Sequence, residues 1–435
     1  MMNSIWNENI QLPAFEELRQ NVKTDVLIIG GGMAGILCGY MLKKAGINAV
    51  IAEAAQIGGG TTKNTTAKIT LQHGLIYSRL LKQFGREKAA MYLQANQAAL
   101  EEYRKICRCI DCDFEEKDSF VYSLQNKKIL EAEIAALDAL HFKAEYVSRL
   151  PLPIHTAGAV KIKEQAQFHP LKFMEAVSEG LQIYENTRVM EIEGHTARTE
   201  KYSITADAIV VTTHFPCFNL HGSYFLKMYQ DRSYVIAMEN APDVNGMYVD
   251  EAEGGLSFRN YKDFLFLGGG AHRTGKPGGA WQELNRFAAR YYPRAKIKYA
   301  WAAQDCMTLD GVTYIGNYSR NTPHVFVATG FQKWGMTSSM AAAMLLRDRL
   351  CDIKNPCAEV FSPSRSMLTP QLAVNAWEAA AGLLGFSPKR CTHMGCKLKW
   401  NPAEHTWDCP CHGSRFSCEG TLIDNPAKKD LKLKK

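Results

Sequence analysis

The apolar run DVLII at 25–29 reads as a strand buried on both faces, since such a strand shows a continuous hydrophobic stretch rather than alternation. It meets GGGMAG at 30–35 and then a helix-spaced stretch reaching about Lys44. A second strand-like run at 49–52 stops at Glu53. Strand, glycine turn, helix and strand predict a Rossmann-like βαβ unit. Strand-like runs return at 205–211 and 325–329, the second followed by a glycine-containing turn and an Ala/Met/Leu helix. Residues 376–384 look helical, and 398–407 form a hairpin pattern between two Cys/His boxes. The predicted fold class is α/β, with a small all-β piece at the C-terminal end.

Within the βαβ unit, Gly30 permits the tight turn, Gly32 lets the backbone approach a pyrophosphate, and Gly35 lets helix pack on strand. The helix N-terminus then faces the phosphates, and Glu53 is placed to accept hydrogen bonds from a ribose. Glu53 leads into GGGTTKNTTAK at 58–68, where Gly60, Thr61, Thr62 and Thr66 can wrap the far side of a dinucleotide. A nicotinamide-dependent reductase would need a second fingerprint. FLFLGGGAHR at 264–273 fails as one, because Arg273 occupies the third glycine position.

The end of the chain carries CTHMGC at 391–396 and CPCHGS at 409–414. Each box offers one Cys and one His, which suits a [2Fe–2S] centre with two thiolates on one iron and two imidazoles on the other. A structural zinc site is the alternative, since mixed Cys/His pairs also hold zinc. Zinc accounts for neither the extra cysteine in each box nor the CPCHGS run.

The boxes resemble the Rieske motif, which implies Cys391, His393, Cys409 and His412 as cluster ligands and Cys396 and Cys411 as a disulfide joining the two loops. The blocks GGGTTKNTTAKIT, WAAQDCMTLDGVTYIG and TGFQKWGMT, together with the boxes, resemble FAD-dependent oxidoreductases of the D-amino-acid-oxidase-like (DAO) superfamily that carry a C-terminal Rieske domain. The resemblance implies a Rossmann-like FAD domain with an interleaved mixed-sheet substrate domain. FAD-binding segments fall at 22–80, 166–216 and 301–360, substrate segments at 81–165 and 217–300, a linker at 361–387 and a partial Rieske-type domain at 388–435. It further implies FAD contacts from Val189, Thr213, Gly330, Lys333, Gly335, Met336 and Thr337. A helix N-terminus against the flavin would stabilise its anionic reduced form.

The implied activity is oxidation of a small amine or amino-acid-like substrate by FAD, with electrons leaving through the cluster to an external acceptor. Lys333, Arg259 and His272 are the candidate catalytic residues. Arg259 or Arg273 could hold a substrate carboxylate, although either serves equally as an inter-domain ion pair. His73 is placed to reach the flavin or to act as a structural hydrogen bonder, and Cys306-Met307 is a candidate for covalent flavin attachment. Two other readings stay open: an oxygen-using oxidase with a vestigial cluster domain, and a non-catalytic electron-transfer or metal-binding protein.

Composition adjusts this picture in three places. At 435 residues the chain is too long for one ordinary core, and 46% hydrophobic content supports several. Of 13 cysteines, Cys107, Cys109 and Cys112 crowd together and read as packing thiols. The net charge of +7 owes much to Lys428, Lys429, Lys432, Lys434 and Lys435, a solvated end. The longest apolar run, 26–42, is interrupted by five glycines and reads as strand–turn–helix, so a soluble cytoplasmic protein without a membrane span is expected. No nucleic-acid-binding motif is present. Finally, the interval 366–390 holds no alternating β-pattern. The Rieske sandwich is therefore predicted to be shortened, and the cluster either forms on a truncated base leaning on the FAD domain or does not form.

Overall fold

Among the residues that the computed structural model describes (3–8, 10–218, 221–384, 387 and 389–432), the chain forms three sheets. Lys434 and Lys435 of the basic tail, and Gly385, Phe386 and Pro388 ahead of the first box, lie outside them. Val22–Ile29 is central to the first sheet, flanked in parallel by Ser203–Val211 and Ala49–Ala52. Gln182–Tyr184 and Val325–Thr329 extend it in parallel, and Tyr314–Asn317 adds an antiparallel edge. The apolar run at its centre is buried throughout, because helices Met33–Lys44 and Gly335–Leu350 share a core with Val26 and Ile28 while Leu27 and Ile29 face a second core. No described helix is long and apolar enough to cross a membrane.

The second sheet has nine strands and is mixed. Its order is Lys296–Thr308, Met228–Glu239, Phe264–Arg273, Ser257–Tyr261, Met247–Asp250, Glu115–Ser123, Gly158–Gln167 and Lys68–Ile69, with Glu145–Val147 also on Gly158–Gln167. Met247–Asp250 runs parallel to Glu115–Ser123, and the other pairings are antiparallel. The expected cuts at 80/81, 165/166 and 300/301 fall inside Ile76–Cys107, Gly158–Gln167 and Lys296–Thr308. Pairing explains the last of these: Lys296–Thr308 follows Met228–Glu239 along its whole length, so the second sheet continues to Thr308.

The third sheet is a meander of four three-residue strands: Lys399–Asn401, Thr406–Asp408, Arg415–Ser417 and Leu422–Asp424. Its buried core is Leu398, Phe416, Ala427 and four cysteines. Ahead of it lies the helix Pro370–Leu384, which begins earlier than the predicted 376; among the described residues no strand lies between this helix and the first box. That helix buttresses the cluster loops. A Cβ on Gly382 would lie 2.2 Å from Cys411 Sγ, and Gly382 O accepts from Lys397 N at 2.9 Å. Asn375 fixes the helix to the second sheet and its approach, donating to Leu226 O at 3.0 Å and accepting from Arg273 Nη1 at 3.0 Å.

Candidate active site and cluster centre

A cavity of about 1130 Å³ is walled by the first sheet's loops, the second sheet and residues 422–425, 427 and 428 of the C-terminal piece. Gly30, Gly32, Glu53, Gly60, Thr61, Thr62, Thr66, Val189, Thr213, Lys333, Gly335 and Met336 line it. Gly35, Gly330 and Thr337 do not. A Cβ at Gly35 would lie 1.9 Å from Gly30 O, so its place is in helix–strand packing. One at Gly330 would lie 2.2 Å from Thr308 Cγ2. Thr337 Oγ1 donates to Thr70 O at 2.8 Å and accepts from Thr70 N at 2.9 Å.

The cavity fits a flavin dinucleotide. Glu53 Oε2 accepts from Gly31 N at 2.7 Å and Oε1 from Ala55 N at 2.8 Å, fixing the carboxylate with lone pairs left for ribose hydroxyls. Burial pushes its pKa up against those two bonds. Thr62 Oγ1 takes the Met33 N–H at 3.0 Å at the start of the helix that faces the cavity. Lys63, Arg188 and Lys428 line the wall and supply positive charge for a diphosphate. His73, also on the wall, holds Tyr92 Oη at 2.6 Å through Nδ1 and leaves a buried Nε2 without a partner. Burial takes its pKa down to about 3, so it is neutral.

Of the three catalytic candidates, Lys333 lines the cavity and Arg259 and His272 do not. Arg259 pairs with Phe266 in the ladder and points at Trp6, fully buried. Its Nη1 donates to Thr66 O at 2.6 Å and Ala67 O at 3.0 Å, bracing the flavin loop from behind. His272 stacks on Tyr234, with Nδ1 3.2 Å from Gly270 O. Arg273 turns to the cluster loop, donating to Pro410 O at 3.1 Å and Cys411 O at 3.2 Å. Neither arginine lines the cavity, although Nε and Nη2 of Arg259 are buried without a partner.

Sequence reasoning passed over Asp305, which lines the cavity, and Asp231 opposite it on the neighbouring strand. Burial pushes both carboxyls up to about 6, with Lys333 pulling the other way. Arg79, exposed at the cavity, was also missed. Alternation along WAAQDCMT would have put Asp305 on the same face as Met307, but only the pairing shows which face.

Cys306 is fully buried, outside the cavity, among Met228, Tyr314 and Val327. Burial holds its thiol well above the ordinary value. Acid precipitation is therefore expected to leave a colourless pellet and a yellow supernatant. A yellow pellet would reveal a covalent flavin.

The two boxes converge on one buried centre. Cys391, Cys409 and His412 are buried and His393 is partly exposed; the two imidazole centroids lie 5.0 Å apart. The sulfurs of Cys396, Cys409 and Cys411 lie within 4.8 Å of one another. Nδ1 of His393 and Nδ1 of His412 are both buried without a partner. Burial takes their pKa values to about 3 and about 4, leaving the neutral form that binds metal. Two orphaned imidazole nitrogens beside the thiols fit a [2Fe–2S] cluster. A zinc ion on the sulfurs of Cys396, Cys409 and Cys411, which lie within 4.8 Å of one another, would leave both imidazoles unused. The sulfurs of Cys396 and Cys411, the expected disulfide pair, lie within 4.8 Å of one another.

The cluster loop is bonded directly to the flavin side. Gln230 Nε2 donates to His412 O at 2.7 Å and to Asn425 O at 3.0 Å. Gln304 Nε2 donates to Gly413 O at 2.8 Å, and Gln304 O accepts from Thr61 Oγ1 at 3.2 Å. His412 Nε2 lies 3.0 Å from Phe225 O.

A dinucleotide cavity sharing a wall with an iron–sulfur domain defines a flavin oxidoreductase with a built-in one-electron centre. The profile of the FAD dependent oxidoreductase (DAO) family matches residues 25–349, and that of the Rieske [2Fe-2S] domain matches 371–434. The chain belongs to the DAO family of FAD-dependent oxidoreductases and carries a C-terminal Rieske domain; its cofactors are FAD and a [2Fe–2S] cluster. The Rieske match begins at the helix Pro370–Leu384, inside the expected linker. The chain is similar to "Putative Rieske 2Fe-2S iron-sulfur protein YhfW" of Bacillus subtilis (strain 168), 34% identical over 490 residues covering 98% of this chain and 96% of that one. Those 490 positions exceed this chain's 435 residues, so the relative has segments with no counterpart here. In fold it is similar to glycine oxidase from Geobacillus kaustophilus (TM-score 0.66, 18% identity, 79% of this chain and 99% of that one). L-proline dehydrogenase from P. horikoshii gives a TM-score of 0.68 at 15% identity, covering 79% and 98%.

Proposed function

We propose that this protein oxidises a small amine or amino-acid-like substrate in the cavity and delivers the electrons, through the C-terminal centre, to an external acceptor. FAD supplies two-electron acceptance with stepwise release, and the cluster supplies single-electron relay. Cys391, His393, Cys409 and His412 hold the cluster, and Cys396 and Cys411 close a disulfide beside it. The observation that carries the reading is the shared wall: residues 422–425, 427 and 428 line the flavin cavity while Gln230 and Gln304 bind the cluster loop. The names of the similar folds, an amino-acid oxidase and an amino-acid dehydrogenase, support the substrate class.

The two histidines face different ways. His412 is 2% exposed and sealed against Phe225, whereas His393 is partly exposed beside Met394. His412 would therefore hold the cluster on the side of the flavoprotein half and His393 on the side open to an external acceptor. The test is anaerobic addition of an amine and amino-acid panel to the holoprotein, followed by optical and EPR spectra. Flavin bleaching with the appearance of a reduced Rieske signal is expected. Bleaching with no cluster signal, and peroxide formed in air, would instead mark an oxygen-using oxidase.

A further inference from the structure

In the antiparallel pair Met228–Glu239 and Lys296–Thr308, Asp231 stands directly opposite Asp305. Opposed residues present their side chains on the same face. On that face Tyr229, Ser233, Ala303, Asp305 and Met307 line the cavity, while Asp231 lies covered beside Asp305. Like charges directly opposed destabilise a sheet, and a buried carboxylate without a partner is costly.

These two have little to offset them. Asp231 is 1% exposed, and neither of its carboxylate oxygens has a hydrogen-bond partner. Asp305 has a single long contact, 3.4 Å from Ser233 Oγ. The flanking arginines are engaged elsewhere, Arg273 on Pro410, Cys411 and Asn375 and Arg232 on Glu404. Lys333 is the strongest charge acting on both, and it is exposed.

Building on the amine-oxidation reading above, we infer that Asp305, backed by the unpartnered carboxylate of Asp231, binds the charged nitrogen of the substrate, so that the cavity selects a cationic amine and requires no carboxylate on it. The substrate ammonium donates a charge-assisted N–H bond to the Asp305 carboxylate, and the negative charge of Asp231 behind it strengthens the hold on a cation. One N–H bond then breaks and an O–H bond forms on a carboxylate oxygen. The amine is left neutral, with its lone pair free to assist hydride loss from the adjacent carbon to the flavin.

The test uses holoprotein carrying both cofactors and tert-butylammonium, which has no hydrogen on the carbon next to nitrogen and is not oxidised. Its neutral and anionic counterparts are tert-butanol and pivalate. Tert-butylammonium is expected to perturb the flavin absorbance saturably, and the other two are not. Asp231→Asn and Asp305→Asn are each expected to weaken that binding at least tenfold while flavin content and the cluster EPR signal stay as in the parent. The inference is overturned if pivalate binds as well as the cation, if no cation binding is seen, or if both variants bind it unchanged. The wild-type comparison of three charges stands even if a variant does not fold. If the cation binds as expected but no amine bleaches the flavin, the oxidation reading falls and this site remains.

Discussion

Replacing Cys409 by serine is expected to strip iron and acid-labile sulfide from the protein to under a tenth of the parent, while the flavin stays bound. The Cys409 sulfur lies within 4.8 Å of those of Cys396 and Cys411, and among the described residues four cysteines share the domain's buried core with Leu398, Phe416 and Ala427. A domain this small depends on its metal for folding free energy. The variant is therefore also expected to become protease-sensitive within 389–432. The flavin loop around Gly30 and Glu53 belongs to the first sheet's own core and is unaffected. Iron, sulfide, flavin absorbance and limited proteolysis on one preparation decide it; one cluster per chain in the variant would refute the ligand assignment.

Arg415→Met is expected to cost the cluster domain about 3–5 kcal/mol, because it takes a buried cation from between three carboxylates. The guanidinium donates to Asp408 at 3.1 Å, Asp424 at 3.0 Å and Glu404 at 2.9 Å, and it is 4% exposed. Glu404 also binds Arg232 of the substrate sheet. Burial works to raise the Glu404 pKa, but Arg232 and Arg415 hold it at about 2, against an ordinary 4.5. A depressed carboxylate contributes stability that is fully present above 4.5 and disappears as pH falls toward 2. Melting followed through cluster absorbance should thus drop across that window in the parent, and less steeply in the variant. A variant that melts like the parent at neutral pH would show that the carboxylates find other partners.

The Rossmann-like unit and the two boxes were legible because their chemistry is local. Glycine turn, helix and acid follow one another within residues 25–53, and each box packs its ligands into six residues. The substrate pocket was not legible, since it depends on register. Arg259 and Arg273 look equally available as letters, yet pairing turns one toward Trp6 and the other toward Pro410. Asp231 and Asp305 are distant in sequence, and nothing local marks them as facing one another. The shortened sandwich was readable as a missing β-pattern at 366–390. Its replacement was not, because a helix reads the same whether it links domains or, through Gly382, props up a cysteine.

That prop fixes an order of events during synthesis. The helix Pro370–Leu384 is held by Leu226 and Arg273, and Gln230, Arg232 and Gln304 grip the loops it supports. All five belong to the flavoprotein half. The cluster-binding loops thus have no complete mould until that half has folded around them, and iron–sulfur insertion comes last. Severed from its neighbour, this Rieske piece would be a tail and not a cassette.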